Sequence, residues 1–218
     1  MISVHLINQS VISTQTFALN LKMSPKQYPA YTTEVPPAST RGLSHPKRFI
    51  TTHDESGKAV FSSELPEEIP FQQIPKDAIF SLCYATNQTP VELSNNTDVN
   101  IYSNYLENLP GVMIPGGTVL RLVDMPPGAT SPMHRTVSLD YGVVLEGSVE
   151  LILDDGESRV MERGDISVQR GTIHAWKNMS KTSWARMLYI LQESKPIQVE
   201  GKKLGEDYGG LEVPKSGN

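Results

Sequence analysis

At 218 residues the chain suits one domain with an extension, because an independent core takes about 100–150 residues. Its hydrophobic residues, 38% of the total, never run together for the ~18 positions a membrane helix needs, which excludes a helical membrane protein. Nineteen Lys and Arg against 24 Asp and Glu give a net charge of −5 without a basic stripe, which excludes binding to nucleic acid through its phosphates.

The single cysteine, Cys83, permits no intrachain disulfide and no four-cysteine zinc site. The first 23 residues alternate polar and apolar without a charged start or an unbroken apolar stretch, so no secretory signal is expected. A reducing, cytoplasmic location follows from both features. Residues 24–47 carry five prolines among Ser and Thr, and residues 1–47 are therefore expected to form an extended N-terminal arm without a core of its own.

Beyond the arm the pattern becomes that of strands. Arg48–His53 and Lys58–Phe61 flank the turn sequence Asp54-Glu55-Ser56-Gly57, a hairpin, and Ala78–Ala85 is a further strand. Asp98–Leu106 fits a short helix or a strand equally well. From Gly117 on, strands are expected at Val119–Asp124, Leu139–Leu145, Ser148–Leu153, Ser158–Met161, Ile166–Gln169 and Trp184–Gln192, joined by Gly-, Pro- and Asp-containing turns. Such regular β spacing means an all-β sandwich or barrel over residues 48–195. Residues 196–218 are read as a C-terminal tail that is loose at its end, around Gly209-Gly210 and Pro214.

Two segments carry chemistry. Residues 128–147 read GATSPMHRTVSLDYGVVLEG, with Gly128, His134, Thr136, Asp140 and Gly147 at spaced positions. Residues 164–178 read GDISVQRGTIHAWKN, with Gly164, Gly171, His174 and Asn178; 16 residues separate the segments. This pair resembles the two signature motifs of the cupins, over roughly residues 110–195. The residues before 110 resemble the extension of single-domain cupins from fungal and bacterial secondary-metabolite clusters. The resemblance implies a double-stranded β-helix, or jelly-roll barrel, with an N-terminal strand extension. It also implies a homodimer, with the arm suited to cover a neighbour's edge strand.

The departures from the motifs bear on function. Metal-binding cupins resemble one another in three histidines and a glutamate, whereas here Thr136 stands at the second histidine and Asp140 at the glutamate. Gln169 replaces a proline of the second motif. If residues 134–140 run extended, alternation puts His134, Thr136, Ser138 and Asp140 on one face, and His174 and Trp176 share a face by the same rule. The resemblance places His174 opposite His134 across the pocket. Two imidazoles and a carboxylate then match a three-ligand site for one divalent ion (Zn, Fe or Mn). The shorter Asp140 and the missing imidazole fit equally a site that holds no metal.

Arg121 and Arg186 lie within apolar strands, where an arginine is seldom found unless it is paired. Either is expected to pair with Asp140 or to anchor a substrate carboxylate, and Arg121 is expected to face the lumen, opposite Leu120 and Leu122. Trp176, with Tyr189 as a second aromatic, is a platform for a flat ligand or else part of the core. Thr136 and Ser138 either contact substrate or bond to backbone.

The expected function is non-redox chemistry on a small oxygenated metabolite of polyketide-like or aromatic, carboxylated type, by decarboxylation, dehydration or isomerisation and cyclisation. His134 or His174 would move a proton while a metal or Arg121 steadies an oxyanion. The alternatives are an iron-dependent oxygenase using the same three ligands and a non-catalytic cupin that only binds a small molecule.

Overall fold

The computed structural model describes residues 35–74, 78–211, 213 and 216. Most of the arm, and with it the expected role of the arm in a dimer, lies outside the described residues. A short helix α1 (Ala38–Arg41) leads to the hairpin of β1 (Thr51–His53) and β2 (Ala59–Phe61), then β3 (Gln72–Ile74) and β4 (Ala78–Ala85). Residues 98–106, undecided from periodicity, belong to helix α2 (Thr97–Glu107). Its buried Val99, Tyr102 and Leu106 fall on one helical face and pack on Leu82, Ala85 and Leu191.

The barrel follows as β5 (Thr118–Met125), β6 (Ser138–Glu146), β7 (Val149–Leu153), β8 (Ser158–Met161), β9 (Ile166–Arg170), β10 (His174–Asn178) and β11 (Ala185–Glu193), with a small hairpin of β12 (Gln198–Val199) and β13 (Lys202–Lys203) beyond it. A six-stranded sheet in the order β3-β4-β5-β11-β6-β9 faces a three-stranded sheet in the order β10-β7-β8, and every strand pair is antiparallel. This is the jelly roll expected from the sequence. β3, β10 and the β12–β13 hairpin are strands beyond those expected from the sequence.

Alternation fixes what each strand shows to the interior. Along β6, Ser138, Asp140, Gly142 and Val144 are buried in turn. Gly142 is bare because an added Cβ would lie 2.6 Å from Ser167 Oγ and 3.1 Å from the Tyr189 ring, so the absence of a side chain makes room for that aromatic. On β5, Val123 and Met125 pack inward against Val144, Trp176 and Met187. Leu122 packs outward against Ile69 and Cys83, with Leu120 beside it. β5 is thus covered on both faces, and its two charges part company: Arg121 goes in and Asp124 goes out.

Asp124, fully buried, ties the N-terminal extension to the outer face. Arg186 of β11 donates to it twice, Nε to Oδ1 at 2.5 Å and a terminal nitrogen to Oδ2 at 2.8 Å. Arg41 of α1 donates to Oδ2 from the other side. Both guanidiniums stack on Phe71, at 5.0 and 5.5 Å from its ring centre. Asn178, the last residue of β10, works similarly by neutral bonds. Its amide donates to the carbonyls of Met125, Pro126 and Ser183 at 2.9–3.1 Å, and its oxygen accepts from Ser180 N. Buried in this way, Asn178 pins the β5–β6 connection to the β10–β11 turn.

Candidate active site

Between the sheets lies a cavity whose polar wall is His134, His174, Thr136, Asp140 and Arg121 and whose remaining wall is largely apolar, from Phe80, Val112, Trp176, Tyr189, Leu191 and Leu211. The two histidines are neighbours, not the opposed pair that the family resemblance implied. They form an antiparallel bridge in which each backbone N–H donates to the other's carbonyl, at 2.9 and 3.0 Å. Directly bridged residues carry their side chains on the same face, and the rings stand 4.4 Å apart at 50°.

Each ring is held the same way: the Pro132 carbonyl lies 2.9 Å from Nδ1 of His134, and the Thr172 carbonyl 2.9 Å from Nδ1 of His174. A carbonyl only accepts, so Nδ1 carries the proton and the lone pair is left on Nε2. Burial lowers the basicity of both. His174 is held down to about 4 by burial and then by His134 beside it, and His134 is lowered by burial against the opposing pull of the Pro132 carbonyl. Two neutral imidazoles therefore share one wall at neutral pH.

Asp140 sits at the end of a relay of hydroxyls. Ser138 Oγ donates to Thr136 Oγ1 at 2.6 Å, and Thr136 Oγ1 donates to Asp140 Oδ2 at 3.2 Å. Its other oxygen, Oδ1, is buried without a hydrogen-bond partner among the described residues. Burial pushes the carboxyl up to about 6, against the opposing pull of Ser138, Thr136 and Arg121. The Arg121 guanidinium, itself brought down to about 10 by burial, remains a cation. It lies over Phe80 at 5.3 Å and reaches the Gly111 carbonyl at a long 3.4 Å.

An aromatic row completes the wall. The Trp176 ring stands edge-on to His174 at 5.6 Å and to Tyr189 at 5.7 Å. The Tyr189 hydroxyl lies 3.0 Å from Met187 Sδ, and burial keeps it neutral by pushing its pKa well above the ordinary value.

The structure brings together His134, Thr136, Asp140, His174, Arg121, Trp176 and Tyr189, and corrects three expectations. Arg186 is not a site residue: it is on the outer face of β11, spent on Asp124 and on the Ser44 carbonyl at 2.7 Å. Ser138 does not line the cavity; its hydroxyl donates to Thr136 and acts on the Asp140 carboxyl from behind. The three-ligand arrangement of His134, Asp140 and His174 is not formed either, because no three His, Cys, Asp or Glu side chains among the described residues come together around one ion position. Aspartate is a methylene shorter than glutamate, and here Thr136 holds it. The donors present do not fit the family's metal, which asks for three or four ligands at one centre.

A third imidazole in the vacant place is expected to restore such a centre. Thr136→His should raise affinity for Zn(II) about tenfold or more over wild type, measured by competition with a chromophoric chelator. An unchanged affinity in a folded variant would show that residue 136 does not occupy the lost ligand's position.

Four of these wall residues, Phe80, Val112, Leu191 and Leu211, were not singled out from the sequence. Phe80 was legible in the alternation of β4. Leu211 was not, because it arrives from the tail. Instead of trailing loose, residues 204–211 fold back over the mouth beside His134. Arg135 and Asp207 exchange backbone hydrogen bonds at 2.5 and 2.9 Å, and Arg135 Nε donates to the Gly205 carbonyl at 2.8 Å. Gly209, at φ +56°, is pressed so closely on the Met133 carbonyl that an added Cβ would lie 1.9 Å from its oxygen. Gly209→Val is therefore expected to lift the tail and speed tryptic cleavage at Lys202 and Lys203 roughly severalfold, with little change in the urea midpoint of the barrel. Equal cleavage rates would show that the tail is not seated there.

The cupin-domain family model matches residues 121–191. Phomopsin biosynthesis cluster protein D of Diaporthe leptostromiformis is 52% identical over 163 residues, 75% of this chain and 86% of that protein. Oryzines biosynthesis cluster protein J of Aspergillus oryzae is 48% identical over 162 residues, 74% of this chain and 90% of that protein. A protein of Aspergillus ruber named cupin-domain-containing oxidoreductase fogC is 44% identical over 192 residues, 84% of this chain and 92% of that protein. No helix among the described residues is long and apolar enough to cross a membrane.

Proposed function

The chain belongs to the cupin family, and on that premise we propose that it is an enzyme of a biosynthetic cluster that moves protons, without redox chemistry, on a small carbonyl-containing metabolite. The observation that carries this reading is the pair of neutral imidazoles whose Nδ1 atoms are both tied to backbone carbonyls, beside a buried carboxyl with one unbonded oxygen. The Nε2 lone pair suits a base, and a carboxyl that holds its proton to about pH 6 suits an acid. The two roles fall on different residues because burial moves their pKa values in opposite directions.

Dehydration of a β-hydroxy carbonyl, or isomerisation of a double bond next to one, uses both roles. In the dehydration, imidazole Nε2 takes the proton from the carbon beside the carbonyl and the C–H electrons form the new double bond. The β C–O bond then breaks as Asp140 gives its proton to the leaving hydroxyl, and one water is released. Arg121 steadies the negative charge that develops on the carbonyl oxygen of an enolate. The apolar, aromatic wall suits an alkyl or aryl body.

A second reading comes from the relatives, several of which are named oxidoreductases: a redox enzyme in the same cavity. One experiment separates the two. Chelator-treated protein is incubated with β-hydroxy ketones in D2O without oxygen, and loss of water and exchange of the α-hydrogen are followed by NMR. Catalysed exchange or dehydration supports the proton-transfer reading. Turnover that appears only with added iron and oxygen, with no exchange in their absence, would replace it with the oxidoreductase reading.

A further inference from the structure

Five arginines are buried or half-buried in the described structure, and four are accounted for, Arg135 by its bond to the Gly205 carbonyl at 2.8 Å. Arg41 and Arg186 share Asp124. Arg48 gives hydrogen bonds to the Tyr102 hydroxyl at 2.5 Å, the Pro66 carbonyl at 2.6 Å and the Cys83 carbonyl at 3.4 Å. Arg121 differs. It is only 8% exposed, and although an unpartnered Nε is common to Arg41, Arg48 and Arg121, the one hydrogen bond of Arg121 among the described residues is the long contact to Gly111. Asp140 acts on it through space but forms no ion pair with it. A guanidinium taken out of water is costly to keep unless a charge or good hydrogen bonds replace the lost solvent, and Arg121 lines the cavity.

Resting on the reading of this cavity as the substrate site, we propose that Arg121 is the seat of a carboxylate, so that the enzyme's substrates are monoanionic carboxylic acids with an alkyl or aryl body. The planar fork of a guanidinium matches the two oxygens of a carboxylate, and Phe80, over which the guanidinium lies, fixes its plane. The apolar lining past Arg121, including Val112, Trp176 and Tyr189, accepts the body of such an acid. A phosphate dianion would bring a second charge with no cation to meet it and would face Asp140. The same placement argues against decarboxylation: a carboxylate clamped by an arginine is stabilised as an anion, whereas loss of CO2 requires that charge to leave it.

Binding of benzoate and hexanoate by calorimetry, beside the neutral benzamide and 1-hexanol and beside inorganic phosphate, tests this. The carboxylates are expected to bind at least tenfold more tightly than their neutral counterparts, and phosphate not to displace them. Arg121→Gln should lose at least tenfold in benzoate affinity without change for benzamide, and Arg121→Lys should keep part of it. Benzamide bound as tightly as benzoate by wild type would overturn the proposal, as would unchanged benzoate affinity in Arg121→Gln. Should that variant fail to fold, the wild-type discrimination between benzoate and benzamide decides alone. Benzoate selectivity without any α-hydrogen exchange would sink the proton-transfer reading and leave this one standing; exchange on neutral ketones without benzoate selectivity would do the reverse.

Discussion

Asp124→Asn is expected to lower the free energy of unfolding by about 3–5 kcal/mol, the cost of leaving a buried ion pair with one member missing. Asparagine keeps the size and shape of the side chain, so packing is preserved and the charge alone is removed. What remains are the Arg41 and Arg186 guanidiniums, both buried, facing each other across a neutral amide. For a chain of this length such a loss lowers Tm by roughly 6–20 °C. Urea unfolding followed by far-UV circular dichroism measures it, with Glu67→Gln as the control. Glu67 meets Lys47 at 2.8 Å with both side chains about half exposed, and its loss should cost under about 1 kcal/mol. A comparably small effect at Asp124 would mean that the arginines find other acceptors and that the N-terminal extension is not held by this carboxylate.

Much of the barrel was legible in the sequence because one face of each strand is buried and the alternation is therefore strict. Along 138–146 every second residue turns inward, and Arg121 was placed correctly on the same logic. Pairing between distant strands was not legible. Nothing local says that residue 134 bridges 174, so the two imidazoles were expected to face each other when they stand side by side. Arg186 is a different kind of error. Residues 186 and 189 are three apart, so on a regular strand they point to opposite faces, and assigning both to one pocket already conflicted with the alternation. The irregularity of β11 against β6 falls between Arg186 and Met187, leaving 187, 189 and 191 inward and Arg186 outward. The tail was illegible for another reason. Its glycines signal a free chain end when nothing lies beside them, and it is the Met133 carbonyl, distant in sequence, that makes Gly209 a contact.

The pH dependence of catalysis is expected to be a bell on the acid side of neutrality. In the free enzyme kcat/KM should rise through about pH 4, as His174 loses its proton and becomes a base, and fall through about pH 6, as Asp140 loses the proton it must donate. The contributions of His174 and Asp140 to stability oppose one another over that window, and His134, also lowered by burial, falls on the side of His174. His174 is lowered from 6.5 to about 4. Between those values the unfolded chain holds a proton that the folded one does not, and this group makes stability fall as pH falls. Asp140 is raised from 3.8 to about 6, so here the folded chain holds the extra proton and stability falls as pH rises through that range. The contributions of His174 and Asp140 are each of about 3 kcal/mol at full extent. His174→Ala should lower kcat by about 10²–10⁴ and remove the lower limb, while Asp140→Asn should lower kcat and remove the upper one. A carboxylate seated on Arg121 takes up the positive charge that helps Asp140 ionise, so the upper limb of kcat should lie at higher pH than that of kcat/KM. Profiles measured for wild type and both variants with one β-hydroxy acid check all of this. An upper limb that persists in Asp140→Asn would show that another group supplies the proton, and coincident upper limbs in kcat and kcat/KM would show that the substrate's charge does not reach Asp140 through Arg121.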